Sequence, residues 1–161
     1  MANYLESIAS EWYRYNGYWV HSNVRPSQLG IADSKREFDV IALRPTKELV
    51  HVEASSGFFD RSAEARYRGK FECLDDPVLE RLFPGVQLPT NRLKVALWED
   101  GPRDITNPDA FDVWLLRDLI ATIHQKLPPN YMKQSVPQEF PILRTIQMVR
   151  WVNTQTVTSR S

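Results

Sequence analysis

Asp39 and Glu53 lie inside two short apolar segments, REFDVIAL and ELVHVEASS, and Ser55 follows the glutamate by two positions. Carboxylates suit strand interiors poorly, because Val, Ile and aromatics pack best there, so a pair of them in such segments needs a reason. The turn-like Arg44, Pro45, Thr46 and Lys47 predict a hairpin of strands Phe38 to Leu43 and Leu49 to Ala54. Alternation puts His51, Glu53 and Ser55 on one face and Val50, Val52 and Ala54 on the other, while Asp39 shares a face with Ile41 and Leu43. The hairpin register then brings Asp39 and Glu53 to the same end of the pair. Two close carboxylates repel unless they share a proton or a cation. Mg2+ (or Mn2+), which takes one or two carboxylates and several waters, satisfies both. Such a cation polarises a phosphate, lowers the pKa of an attacking water and stabilises the leaving oxygen, which is the chemistry of phosphodiester hydrolysis. The competing expectation is a sheet edge where both acids face water.

The surrounding elements must position this pair. Leu5, Ile8, Ala9 and Trp12 have the spacing of an amphipathic helix that stops near Asn16 and Gly17. YWVHSNV alternates as a strand, Pro26 to Ser34 reads as a loop, and the hairpin follows. Ala63, Tyr67, Phe71 and Leu74 predict a helix after Gly57. Leu93 to Trp98 and Phe111 to Leu115 read as strands, Leu116 to Leu127 as a helix ended by Pro128 and Pro129, and Gln138 to Trp151 as a final helix. The order is α/β, with a central mixed sheet flanked by helices on both faces. Residues 1–152 are expected to form one domain, and 153–161 a polar, flexible C-terminal tail.

Composition excludes several classes. In 161 residues no apolar run approaches the ~20 needed to cross a bilayer, so no membrane partner is expected. The opening MANYLES has no signal-peptide character, and the lone Cys73 fits a reducing compartment, so the expected location is cytoplasmic. Twenty basic residues balance twenty acidic ones, which removes any global field for nucleic acid and leaves only local binding. The densest basic stretch is Arg61, Arg66, Arg68 and Lys70, read either as solvated surface or as a phosphate-contacting helix beside the carboxylates. His21, His51 and His124 are too dispersed for a zinc motif. No glycine precedes Ser55 and Ser56 as a nucleophile elbow requires, and no glycine-rich phosphate loop is present.

The sequence resembles a known family. A helix carrying Glu6, NVR at 23–25, EFDVIAL and VHVEASS follow one another as in the PD-(D/E)XK nuclease superfamily, especially its restriction-endonuclease-like and Holliday-junction-resolvase-like members. Glu6, Ala9, Trp12, Tyr13, Gly17 and Tyr18 reproduce the spacing of that branch's opening helix, and the likeness covers residues 4–56. The resemblance implies a restriction-endonuclease-like three-layer sandwich. It also implies an Mg2+-dependent hydrolase cutting DNA as an endonuclease or exonuclease, acting as a homodimer or with a partner subunit. Asp39 and Glu53 would be the metal ligands and Glu6 an auxiliary acid, a choice over Glu11 that periodicity alone leaves open; Glu37 is read either as a further acid or as a solvated residue at the strand start.

The departure from the family falls at Ser55, where the signature carries lysine. A lysine there orients the attacking water and offsets charge developing on the phosphate. A serine hydroxyl hydrogen-bonds water but supplies no charge. Either the lysine function has moved or hydrolysis has been lost. Lys70 is the best single replacement, with Arg66 one helical turn away and Lys35 and Arg36 ahead of the Asp39 strand as the others. Two expectations follow: a metal-dependent DNA nuclease with catalytic residues Glu6, Asp39, Glu53, Ser55 and Lys70, or a catalytically inactive nuclease-fold protein that serves as a DNA-binding or protein-interaction module.

Overall fold

Asn3 starts the first helix. Its side chain accepts the Leu5 amide at 2.8 Å while its own N–H donates to Glu6 Oε2 at 3.1 Å, a reciprocal cap. Helix α1 (Tyr4–Tyr15) buries Leu5, Ile8, Ala9, Trp12 and Tyr13 along one stripe. It ends at Asn16, and Gly17 takes the left-handed φ of 81° that terminates a helix without a Cβ penalty. The computed structural model describes residues 3–30, 37–59, 64–101 and 108–158; Lys35, Arg36 and Arg61 lie outside them.

A five-stranded mixed sheet follows: β1 (Trp19–Val24), β2 (Phe38–Arg44), β3 (Glu48–Phe58), β4 (Arg92–Asp100) and β5 (Asp112–Leu115), in that spatial order. β1, β2 and β3 are antiparallel neighbours, while β3, β4 and β5 run parallel. The expected hairpin is β2–β3, with Ile41 opposite His51 and Val40 opposite Val52. β3 runs on to Phe58, four residues beyond the expected end at Ala54, because β4 continues to pair with it. Within the stretch Pro26 to Ser34, Pro26–Leu29 form a 3-10 turn.

The parallel step from β3 to β4 carries two helices. α2 (Glu64–Glu72) buries Tyr67 and Phe71. α3 (Asp76–Leu82) is an element the periodicity does not announce: Asp75 caps it by accepting the Val78 amide at 3.1 Å, and Pro77 sits in its first turn. Leu74, expected on the α2 stripe, lies past that helix and packs with the α3 residues Val78, Leu79 and Leu82 against Ile41, Leu43 and Leu49. Tyr67 and Phe71 pack against Ala96, Trp98, Val113 and Leu115 on the same sheet face. α1 lies on the opposite face, where Ser22 Oγ donates to Ser10 Oγ at 3.1 Å beside Val40.

The chain divides into two compact units, Met1–Leu116 and Arg117–Ser161. The second consists of α4 (Leu116–Lys126), which starts at the boundary, an irregular connection and α5 (Pro141–Thr158). Buried Gln147 ties it together, accepting from Val136 N and donating to Pro128 O and Gln134 O, each at 2.8 Å. Arg150 donates to His124 O and to Leu127 O, filling orphan carbonyls at the end of α4. α5 continues to Thr158, so helix occupies part of the stretch 153–161 expected as a flexible tail. No helix among the described residues is long and apolar enough to cross a membrane.

Candidate active site

The β2–β3 ladder stops at Val40 and Val52, and Asp39 and Glu53 are the next residues on each strand. Past that point the Ala54 amide donates to Asp39 Oδ2 at 2.7 Å. The carboxylate thus satisfies a backbone donor that would otherwise be orphaned where the strands separate. Glu53 is fully buried and Asp39 is 8% exposed, so neither acid faces water as a sheet-edge residue would.

Three elements converge on this pair. From β3, His51 Nε2 lies 2.7 Å from Glu53 Oε1, with the imidazole packed edge-on between Phe38 and Phe71. From α2, the Lys70 ammonium donates to Glu53 Oε2 and lies 3.8 Å from Asp39 Oδ2. From α1, Glu6 is coupled electrostatically to both Asp39 and Lys70. The two oxygens of Glu53 therefore have separate partners, imidazole on one side and ammonium on the other. His51 Nδ1 has no hydrogen-bond partner. Because Glu53 is an acceptor, Nε2 carries the proton and Nδ1 is a bare lone pair, a smaller cost than a stranded N–H.

The electrostatics follow from these contacts. Burial, then the charge of Glu53, pushes Asp39 up to about 7 against the opposing Lys70 and Ala54 N–H. Burial also acts to raise Glu53, but the hydrogen bond from His51 and the charge of Lys70 outweigh it and hold the carboxyl below its usual range. Burial lowers His51, which stays neutral. Desolvation of Lys70 is more than offset by Glu53 and Asp39, so its pKa is raised and it remains charged. Glu6 is raised mainly by desolvation.

Asp39 Oδ2 and Glu53 Oε2 converge on one positive group, the Lys70 ammonium. Among the described residues no three His, Cys, Asp or Glu side chains close into a metal-binding group. The side chains that could hold a cation here are two carboxylates, Asp39 and Glu53, whose oxygens are engaged by His51, Lys70 and the Ala54 amide.

The other expected residues are distributed unevenly. Ser55 is half-buried on β3, hydrogen-bonded with Tyr67 and 3.4 Å from the Ser56 carbonyl. Arg66 is exposed with its guanidinium 5.4 Å from the Tyr67 ring, and Arg68 pairs with Glu64 at 2.9 Å, so neither joins the carboxylates. Lys70 alone of the described basic cluster does so, and its ammonium is engaged with acids instead of presented as free surface. Glu37 pairs with Arg25 at 3.3 Å. Asn23 has no counterpart among the expected site residues. With its side-chain amide turned so that the nitrogen faces the two acids, it donates to Glu6 Oε2 at 2.9 Å and Glu37 Oε1 at 3.2 Å, and its backbone takes a left-handed φ of 55°. Asn is one of the few non-glycine residues enriched in that conformation.

Compared with protein-family models, curated proteins and solved structures, the chain matches none of them.

Proposed function

We propose that the chain is a metal-dependent nuclease with a restriction-endonuclease-like core, hydrolysing DNA phosphodiester bonds at Asp39, Glu53 and Lys70. One observation carries this reading: α2 delivers a lysine ammonium to the two carboxylates, supplying from a helix the charge that the family signature places two residues after the glutamate, where this chain has Ser55. The order of α1, three antiparallel strands, a helical crossover and a parallel strand agrees with that core.

Asp39 and Glu53 would hold Mg2+ or Mn2+, which when bound polarises the phosphate and acidifies an attacking water. The protein residues have separable tasks. His51 orients Glu53, and burial keeps water from competing for its oxygens. Lys70, beside both carboxylates, would hydrogen-bond the attacking water and offset charge growing on the phosphate. Glu6, held by Asn3 and Asn23, is placed to accept a proton at the edge of the site. The second reading, a silent nuclease-fold module, rests on the same ammonium, because Lys70 already neutralises the acid pair without a metal.

The test moves the lysine back. Cleavage of linear, supercoiled, single-stranded and branched DNA is measured with Mg2+ or Mn2+ for wild type, Lys70→Ala and Lys70→Ala/Ser55→Lys. Loss in the single variant with recovery in the double supports the nuclease; cleavage indifferent to Lys70 contradicts it, and absence of wild-type cleavage selects the silent module.

A further inference from the structure

A second feature opens between α1 and β1, with Glu6 as the residue it shares with the site. A cleft of about 130 Å3 is lined by Glu6, Ser7, Ser10 and Arg14 from α1 and by Ser22 and Asn23 from β1. On α1, Ser7, Ser10 and Arg14 fall at i, i+3 and i+7 and so share one face. Its two ends differ in character. Glu6 closes one end, where Asn3 and Asn23 engage its Oε2. Arg14 stands at the other end, exposed, and among the described residues its guanidinium has no hydrogen-bond or ion-pair partner. Between them Ser22 donates to Ser10. The Ser10 hydroxyl proton is left to point elsewhere, and Ser7 makes only a long 3.4 Å contact to Asn3 O.

An unpaired guanidinium facing hydroxyl donors is chemistry for a phosphate oxygen, and the cleft has room for a phosphate group with its ester oxygens. Glu6 excludes the anion from its own end and so biases it towards Arg14. Arg14 follows Glu6 by eight helical positions, about 12 Å at ~1.5 Å per residue. A duplex whose axis runs along α1, at ~3.4 Å of axial rise per nucleotide, covers that span in about three to four nucleotides.

We propose that this cleft seats the sugar-phosphate backbone of the DNA strand about three to four nucleotides from the bond that is cut, with Arg14 pairing with a phosphate and the Ser7, Ser10 and Ser22 hydroxyls lining the backbone path. The assignment rests on the nuclease reading for its placement, since Glu6 is the residue shared by cleft and site. Arg14 is a binding residue here and takes no part in bond breaking.

The experiment compares wild type with Arg14→Gln, an exposed and conservative change. Both cleavage kinetics and binding of a labelled duplex across a salt series are measured. The expected result is a KM raised about tenfold with kcat unchanged, and a slope of log affinity against log salt shallower by about one. A single methylphosphonate scanned over the positions about three to four nucleotides from the cut should at one of them weaken wild type by the same factor and add nothing to Arg14→Gln. Equal KM and salt slope, or a methylphosphonate effect that persists in Arg14→Gln, would overturn the assignment while leaving the nuclease reading intact. A wild type that binds DNA with this Arg14 dependence yet cuts nothing would overturn the nuclease reading and keep the cleft as a backbone site. Thymidine monophosphate should bind far more weakly than the duplex; comparable binding would make the cleft a mononucleotide site and overturn the strand assignment.

Discussion

Lys70 Nζ lies 3.8 Å from Asp39 Oδ2 while hydrogen-bonded to Glu53 Oε2, so an ammonium from a helix stands between carboxylates from two neighbouring strands. Its removal separates two roles. Lys70→Met leaves the acid pair without its own cation, so at pH 8 it should bind Mn2+ more tightly than wild type in a calorimetric titration while cleavage falls by about 100-fold, in the range of one lost charged contact to the transition state. Without metal the same variant should lose about 2 kcal/mol of stability at pH 8, less than for a fully buried pair because Lys70 is partly exposed. Weaker Mn2+ binding would show that Lys70 supports the cation site instead of sharing it.

Asp39 gives the fold a pH dependence of definite sign. Its folded pKa, about 7, lies above the ordinary 3.8. Between those values the native state holds a proton that the unfolded chain has released, so this group's contribution to stability falls as pH rises, by at most ~1.4 kcal/mol per pH unit, and levels off above 7. Asp39→Asn keeps an acceptor for the Ala54 amide and removes the titration. Thermal unfolding from pH 5 to 8 should therefore show a flatter profile for Asp39→Asn than for wild type; parallel profiles would assign Asp39 an ordinary carboxyl.

The same proton must leave before a cation binds. Mn2+ affinity should rise about tenfold per pH unit below 7 and reach a plateau above it, provided Asp39 is the group released. An affinity independent of pH between 5.5 and 7.5, read by titration calorimetry in two buffers of different ionisation enthalpy, would remove Asp39 from the ligand set.

His51 holds the other oxygen of Glu53 at 2.7 Å and is packed between Phe38 and Phe71. His51→Leu preserves the apolar packing but strips Glu53 of a buried hydrogen bond. The expected cost is about 2 kcal/mol in urea unfolding at pH 7, with His51→Gln recovering part of it through its amide donor. Equal stability of all three proteins would show that the imidazole is only a space-filling core residue.

The parts of this arrangement legible in the sequence are those with a period or a turn behind them. Alternation in VHVEASS and a four-residue turn were enough to bring Asp39 and Glu53 together. Helical spacing through Tyr67 and Phe71 placed Lys70 on α2, although the spacing reached on to Leu74, beyond the helix. α3 escaped because seven residues with a single DP cap are too short for a periodic signal. The Asn23 bridge escaped because it depends on a left-handed backbone inside a strand, which residue type permits but does not announce. The His51–Glu53 bond joins residues two apart on one face, a juxtaposition visible in the sequence, but its strength comes from burial beneath α2, a tertiary fact.

The most direct measurement is nicking and linearisation of supercoiled plasmid DNA with Mg2+ or Mn2+, wild type against Glu53→Gln, which preserves the shape of the side chain and an acceptor for His51. Metal-dependent cleavage by wild type, reduced at least 1000-fold in Glu53→Gln, is the predicted result, on the scale expected when a metal-binding and charge-stabilising group is lost. Cleavage of equal rate in both proteins, or none by wild type with either metal, would contradict it.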